Sequence, residues 1–166
     1  MMKRYIAFLR GINVRGKNKI PMSELKAGFE ELCLADVKTY LNSGNVIFSS
    51  DDEDSFGQIE KMIKDRFEEL ADILYNAPGW WGTEDKEIYD NLIFIMPPAT
   101  FADVLSEIGE PKEELEKIKH YKKTIFWSFN RKDYQKTNWW SKTANANISS
   151  NLTIRTANTV RKIVKM

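Results

Sequence analysis

The sequence predicts an α+β fold in which one β-α-β-β-α pattern is run through twice. Short apolar runs bounded by Gly, Pro, Asn or charge recur at Tyr5–Leu9, Val37–Leu41, Val46–Ser49, Leu92–Met96, Ile118–Tyr121, Ile125–Phe129 and Leu152–Thr156. They have strand length and composition. Between them lie stretches whose apolar residues fall at helical spacing. The breaker Pro78-Gly79-Trp80-Trp81-Gly82 separates the two runs.

Tyr5 to Leu9 is apolar throughout, as a strand covered on both faces would be. A loop with two glycines follows, and Pro21 suits a helix start because its missing N–H is unpaired there anyway. Leu25, Phe29, Leu32 and Cys33 mark an amphipathic helix over 22–34, with Cys33 on its apolar face. Asn42-Ser43-Gly44-Asn45 links two strands with hairpin chemistry, Gly and Asn accepting positive φ. Asp51 to Asp54 and Ser55 then read as the cap of a helix whose stripe is Phe56, Ile59, Ile63, Phe67, Leu70 and Leu74.

In the second half, Leu92–Met96 is stopped by Pro97-Pro98, and Phe101–Ile108 is a helix with Val104, Leu105 and Ile108 on one side. A strand pair, a polar segment over Tyr134–Asn147, a strand at Leu152–Thr156 and a final helix over Asn158–Lys165 complete the chain. The expected organisation is a first subdomain at 1–77, a joint at 78–90 and a second subdomain at 91–166. Each would be a ferredoxin-like half, an antiparallel or mixed sheet packed with helices. The repeat is one of pattern, since residue identity between the halves is not evident.

Composition narrows the function. The 166 residues are 42% hydrophobic, which excludes wholesale disorder, and 30% charged with a net charge of +1. So balanced a charge argues against a dedicated duplex-DNA binder, whose phosphate contacts demand a basic excess. The single cysteine, Cys33, rules out an internal disulfide and offers no zinc framework. No signal-peptide pattern and no membrane-length apolar run is present, so a cytoplasmic protein is expected.

The loop after the first strand is the leading candidate site. It places Arg10, Arg15, Lys17 and Lys19 around Gly11 and Gly16 and feeds a helix N-terminus, a setting suited to anions. Arginine matches phosphate or carboxylate with a planar fork, and lysine supplies a point charge. Asn13 and Asn18 add directional hydrogen bonds or hold the turn. The spacing is neither a Walker loop nor G-x-G-x-x-G, and a solvated loop shaped by its glycines is the competing reading. Asn42, Ser43 and Asn45 join the site only if the hairpin tip lies near this loop; otherwise they shape the turn.

Leu9-Arg-Gly-Ile-Asn-Val14, Gly16-Lys-Asn-Lys-Ile-Pro-Met22, Glu24-Leu25 and Thr39-Tyr-Leu-Asn-Ser-Gly-Asn-Val-Ile-Phe48 together resemble the bacterial domain-of-unknown-function family numbered 1697. Thr153-Ile-Arg-Thr-Ala-Asn-Thr-Val160 resembles its closing segment. The likeness is dense over 3–50 and looser over 78–166. It implies a two-part α+β fold in a cytoplasmic bacterial protein and no established activity. Arg15 stands where members usually carry a small residue. The strand that should close the first unit reads here as short or missing, because Glu68–Tyr75 runs almost directly into the Pro-Gly-Trp-Trp joint. By order, Lys136 matches a Ser-Lys element of the family, beside Ser141, Lys142 and Thr143. Lys136 and Arg155 are the cationic partners this comparison adds to the loop. A Ser-Lys pair serves nucleophilic catalysis only where the lysine is buried, and a surface lysine is the commoner case.

The expected activity is therefore binding of a phosphorylated or otherwise anionic small molecule, nucleotide-like in kind. No general base can be named, so enzymatic activity is left open, and no cofactor is implied. Two other classes compete. Trp80, Trp81, Trp127, Trp139 and Trp140, with Tyr121 and Tyr134, would stack single-stranded bases beside Lys122, Lys123, Arg131 and Lys132, although core packing accounts for such rings more often. Alternatively, Trp80-Trp81 would form a protein-interaction patch. His120, the only histidine, cannot build a His-rich metal site, and Asp51–Asp54 lacks the spacing of a calcium loop. Oligomeric state is not legible.

Overall fold

Tyr5, Ile6, Ala7 and Phe8 are all buried, as an uninterrupted apolar strand requires when both faces are covered. The structure, a computed structural model, describes residues 2–9, 12–13, 19–51 and 62–166, with the backbone alone over 62–69. The chain divides into two compact units, Met1–Ala71 and Asp72–Met166.

The first unit holds β1 (Lys3–Leu9), α1 (Met22–Glu31), β2 (Ala35–Tyr40), β3 (Asn45–Ser50) and β4 (Met62–Arg66), which runs straight into α2 (Phe67–Tyr75). The strands form one sheet of order β2-β3-β1-β4, antiparallel at every pairing. Phe29 of α1 packs edge-on against Phe48, and Tyr5 stacks on the same ring. With Ala7, Leu34, Val37 and Val46 they form the core on that side.

Two expectations are corrected here. The closing strand is present: β4 pairs with β1 from Tyr5↔Arg66 to Leu9↔Met62. Residues 62–66 therefore do not continue a helix through Ile63 to Phe67. A short apolar run fits either period, and the free edge of β1 decides in favour of pairing. Asp52 to Ser55, Phe56 and Ile59 lie outside the described residues. The helix expected over 22–34 ends at Glu31. Cys33 then takes φ 59, its N–H bonding to Glu30 O at 3.0 Å, and turns the chain into β2. That turn leaves Leu32 and Cys33 exposed and buries Leu34 instead.

The second unit holds β5 (Ile88–Ile95), α3 (Phe101–Ile108), β6 (Glu116–Tyr121), β7 (Thr124–Asn130), a 3-10 turn at Arg131–Lys136, α4 (Asn138–Asn145), a second 3-10 turn at Asn147–Asn151, β8 (Leu152–Thr156) and α5 (Ala157–Val164). Its sheet order is β6-β7-β5-β8, again wholly antiparallel, so each first strand lies between the third and fourth of its own unit. On one face Ile93, Ile125, Trp127 and Phe129 pack with Val104 and Ile108 of α3 and Trp139 of α4. The segment expected to be a joint belongs to this unit. Trp81 is buried, meets Phe126 edge-on with centroids 5.0 Å apart, and donates its indole N–H to Asn91 O at 2.7 Å.

The helices are tied down locally. Thr100 and Asp103 form a reciprocal capping box on α3, and Thr156 caps α5 through the Thr159 N–H. Glu116, 2% exposed, accepts from Trp127 Nε1 at 3.0 Å and from the backbone N–H of Asn138 at 2.7 Å and Lys112 at 3.1 Å. One buried carboxylate thus joins the sheet to the start of α4.

Candidate functional site

The candidate site begins with the end of β1, which fixes where the basic loop departs. Leu9 N–H donates to Gly44 O at 2.8 Å, so the strand end is bonded to the β2–β3 turn. Leu41 at φ 56 and Gly44 at φ +80 shape that turn. A side chain on Gly44 would bring its Cβ to 2.7 Å from Ile12 Cδ1 and 2.8 Å from Leu9 Cβ. The missing side chain is what lets the loop lie against the hairpin.

Asn13 then closes the loop. Its amide Nδ2 donates to Ile20 O at 3.0 Å and to Asn42 O at 2.9 Å, while its Oδ1 accepts from Ile20 N–H at 2.9 Å. The segment that carries Arg15, Lys17 and Lys19 thus has its two ends tied together and tied to the hairpin. Asn13 itself takes φ 52, a left-handed conformation that Asn tolerates better than most residues. Arg10, Arg15, Lys17 and Asn18 lie outside the described residues. Lys19 is exposed and makes no ion pair or hydrogen bond with a described residue. Two residues on, Pro21 is the N-cap of α1, and no side chain caps that helix. Its first-turn N–H groups are therefore not engaged by a capping side chain.

The hairpin tip does meet the loop, through Asn42 O on Asn13 and Gly44 against Ile12, which is the condition for Asn42, Ser43 and Asn45 to join it. Their parts differ. Asn42 is exposed and offers its carbonyl to Asn13. Asn45 is fully buried, its amide donating to Tyr40 O at 2.8 Å and Ser43 Oγ at 3.0 Å, so its role is to hold the turn.

Lys136 and Arg155 belong to the second unit. Lys136 is exposed at the end of a 3-10 turn and pairs with Asp133 at 2.8 Å, so the burial that a Ser-Lys nucleophile needs is not there. Lys142 donates to Ile108 O at 2.8 Å and the Thr143 hydroxyl to Trp139 O at 2.8 Å, both spent on packing α4. Arg155 sits in β8 opposite Leu92 and donates to Ile154 O at 3.0 Å.

The aromatic set divides in the same way. Trp81, Trp127 and Trp139 are core residues with satisfied indole N–H groups, so they present no face for base stacking, and Trp81 cannot serve an exposed patch. Trp80 is half-buried, and Trp140 is exposed at 40% beside Tyr134 and Phe129. Exposed His120 stacks on Phe101. Among the described residues no group of three or more His, Cys, Asp or Glu is placed to hold a metal ion. None of their helices is long and apolar enough to cross a membrane.

Asp72 is electrostatically perturbed by its neighbours. Hydrogen bonds from Lys122 at 2.5 Å and from the Tyr121 hydroxyl at 3.1 Å hold its carboxyl below the usual carboxylate range. Partial burial, together with the neighbouring Asp72 carboxylate, pushes the Tyr121 phenol up. No pattern in the sequence joined these residues, which are far apart along the chain.

Comparison with known proteins agrees with this architecture. The model of a family described as "Protein of unknown function (DUF1697)" matches residues 2–126. A solved structure of the conserved bacterial protein SP0830 from Streptococcus pneumoniae is similar at 28% identity and a TM-score of 0.84, over 99% of this chain and 98% of that one. No curated protein matches.

Proposed function

The chain belongs to this DUF1697 family of unknown function, and from that premise we propose that it binds a phosphorylated or other anionic small molecule at the loop between β1 and α1. The observation that carries the reading is the Asn13 clamp, which ties residue 13 to residue 20 and both to the hairpin. A loop with joined ends loses less conformational entropy when a ligand orders it. Arg10 is the next residue in sequence after Leu9, the last residue of β1. Lys19 is exposed, and the uncapped start of α1 adds N–H groups and the positive end of a helix dipole. The loop supplies charge and orientation, which is binding; it offers no acid–base pair for a reaction. The shared strand order of the two units supports reading them as duplicated ferredoxin-like halves, one of which specialised this loop.

A thermal-shift panel of nucleotides, sugar phosphates and oligonucleotides tests the proposal, since a ligand that binds only the native state raises its stability. Stabilisation by small phosphorylated compounds, reduced in Lys19→Ala, is the expected result. Stabilisation by oligonucleotides alone, with steep salt dependence, would move the function to single-stranded nucleic acid.

A further inference from the structure

We propose that the second unit carries its own phosphate-binding cavity, built on two arginines that lie against aromatic rings, Arg131 and Arg161. The cavity is an open cleft of about 410 Å³, within the range of small-molecule sites, and its wall includes Thr83, Tyr89, Asp90 and Asn158 beside the two arginines. Arg131 places its guanidinium carbon 4.7 Å from the centroid of Tyr89, and Arg161 places its own 5.6 Å from that of Trp81. Each guanidinium lies over its ring within cation–π reach, an interaction that uses none of its N–H groups as hydrogen-bond donors to an oxygen. Among the described residues, no carboxylate lies within ion-pair distance of either group, and neither side chain makes a hydrogen bond.

Both arginines are exposed, and each emerges beside fixed structure. The backbone N–H of Arg131 bonds to Glu87 O at 2.8 Å. Trp81, the ring beneath Arg161, is itself fixed by its bond to Asn91 O and its contact with Phe126. Gly82, at φ +74, leaves room for the Arg161 guanidinium, which a Cβ at that position would overlap.

The wall also carries Glu84, Asp85 and Asp90, which balance Lys86, Arg131 and Arg161 in formal charge, so the site rests on where the guanidinium groups lie and not on a net positive charge. Asp90 is buried, its carboxylate accepting from the Ser128 hydroxyl and the Thr83 N–H. Asp85 accepts from the Glu87 N–H at 2.9 Å. Glu84 and Lys86 are both exposed. Arg131 and Arg161 both line this one cavity, and a phosphate group has enough acceptor oxygens to engage two guanidinium groups at once. The site lies wholly in the second unit and does not depend on the loop of the first.

The test is titration of the ¹⁵N-labelled full chain with pyrophosphate, followed in the arginine Nε–H and backbone amide resonances. Sodium chloride at matched ionic strength serves as the control. Saturating shifts at Arg131, Arg161 and Asn158 are expected, with affinity about tenfold weaker in Arg161→Lys, which keeps the charge and loses the fork. The Trp81 indole N–H resonance reports whether the fold is intact. Lys19→Ala should leave these shifts unchanged. Equal shifts with sodium chloride, no saturation, or undiminished affinity in both Arg131→Lys and Arg161→Lys would overturn the site.

Discussion

Asn13 shows how one side chain serves both architecture and site. Among the described residues its amide makes three hydrogen bonds, all to backbone groups. Asn13→Ala removes them and leaves alanine at a left-handed φ, so unfolding in urea should show a loss of about 2–3 kcal/mol. Anion affinity should fall with it, because the loop ends are no longer tied. Glu116 is the corresponding residue of the second unit, and Glu116→Gln turns an amide NH₂ toward donors that need an acceptor. A loss of about 3 kcal/mol, read from tryptophan fluorescence during denaturation, is expected. Asp72 gives a pH signature. Its folded pKa lies below the unfolded value of 3.8, so its contribution is full above that value and disappears as pH falls through the folded one. Wild type should therefore exceed Asp72→Asn in stability at neutral pH, and the two should converge in acid. Neither Glu116 nor Asp72 was legible in the sequence. Their partners are distant in the chain, and an Asp or Glu beside charged neighbours reads as solvated surface.

The elements differ in how clearly they announce themselves. Phe101–Ile108 and Leu152–Thr156 were readable to the residue, because Pro, Gly and Thr mark the helix and the strand is a short uninterrupted run. Met62–Arg66 was not, since its few apolar residues fit a helical stripe and only the open edge of β1 makes it a strand. The end of α1 was missed for a related reason. Leu32 and Cys33 continue the periodicity, yet a positive φ at Cys33 ends the helix earlier and exposes both. The β2–β3 turn was legible as a turn, but its contact with Ile12 depends on packing. Gly44→Ala combines an unfavourable φ with overlap against Leu9 and Ile12. It should cost about 2–3 kcal/mol and separate the hairpin from the loop, visible as lost amide protection at Leu9, whose N–H bonds to Gly44.

Across the molecule, the sequence pattern anticipated two α+β units, and both sheets are antiparallel with one strand order. Two runs of the same pattern suffice to predict that much, because an apolar strand face has few ways to become covered. The boundary was less readable. Pro78-Gly79-Trp80-Trp81-Gly82 has the composition of a linker, but buried Trp81 makes it part of the second unit. The candidate site was legible as chemistry, cations around glycines, while the clamp that organises it depends on contacts between residues distant in sequence. The central claim is that this loop binds anions, and calorimetric titration of the wild-type chain, Arg10→Ala and Lys19→Ala with the phosphorylated compound that stabilises it most tests that claim directly. Each variant should bind more weakly by about 1 kcal/mol or more, the loss of a charge-assisted hydrogen bond, with the thermal midpoint of Lys19→Ala nearly unchanged. Wild-type affinity in both folded variants would contradict the account.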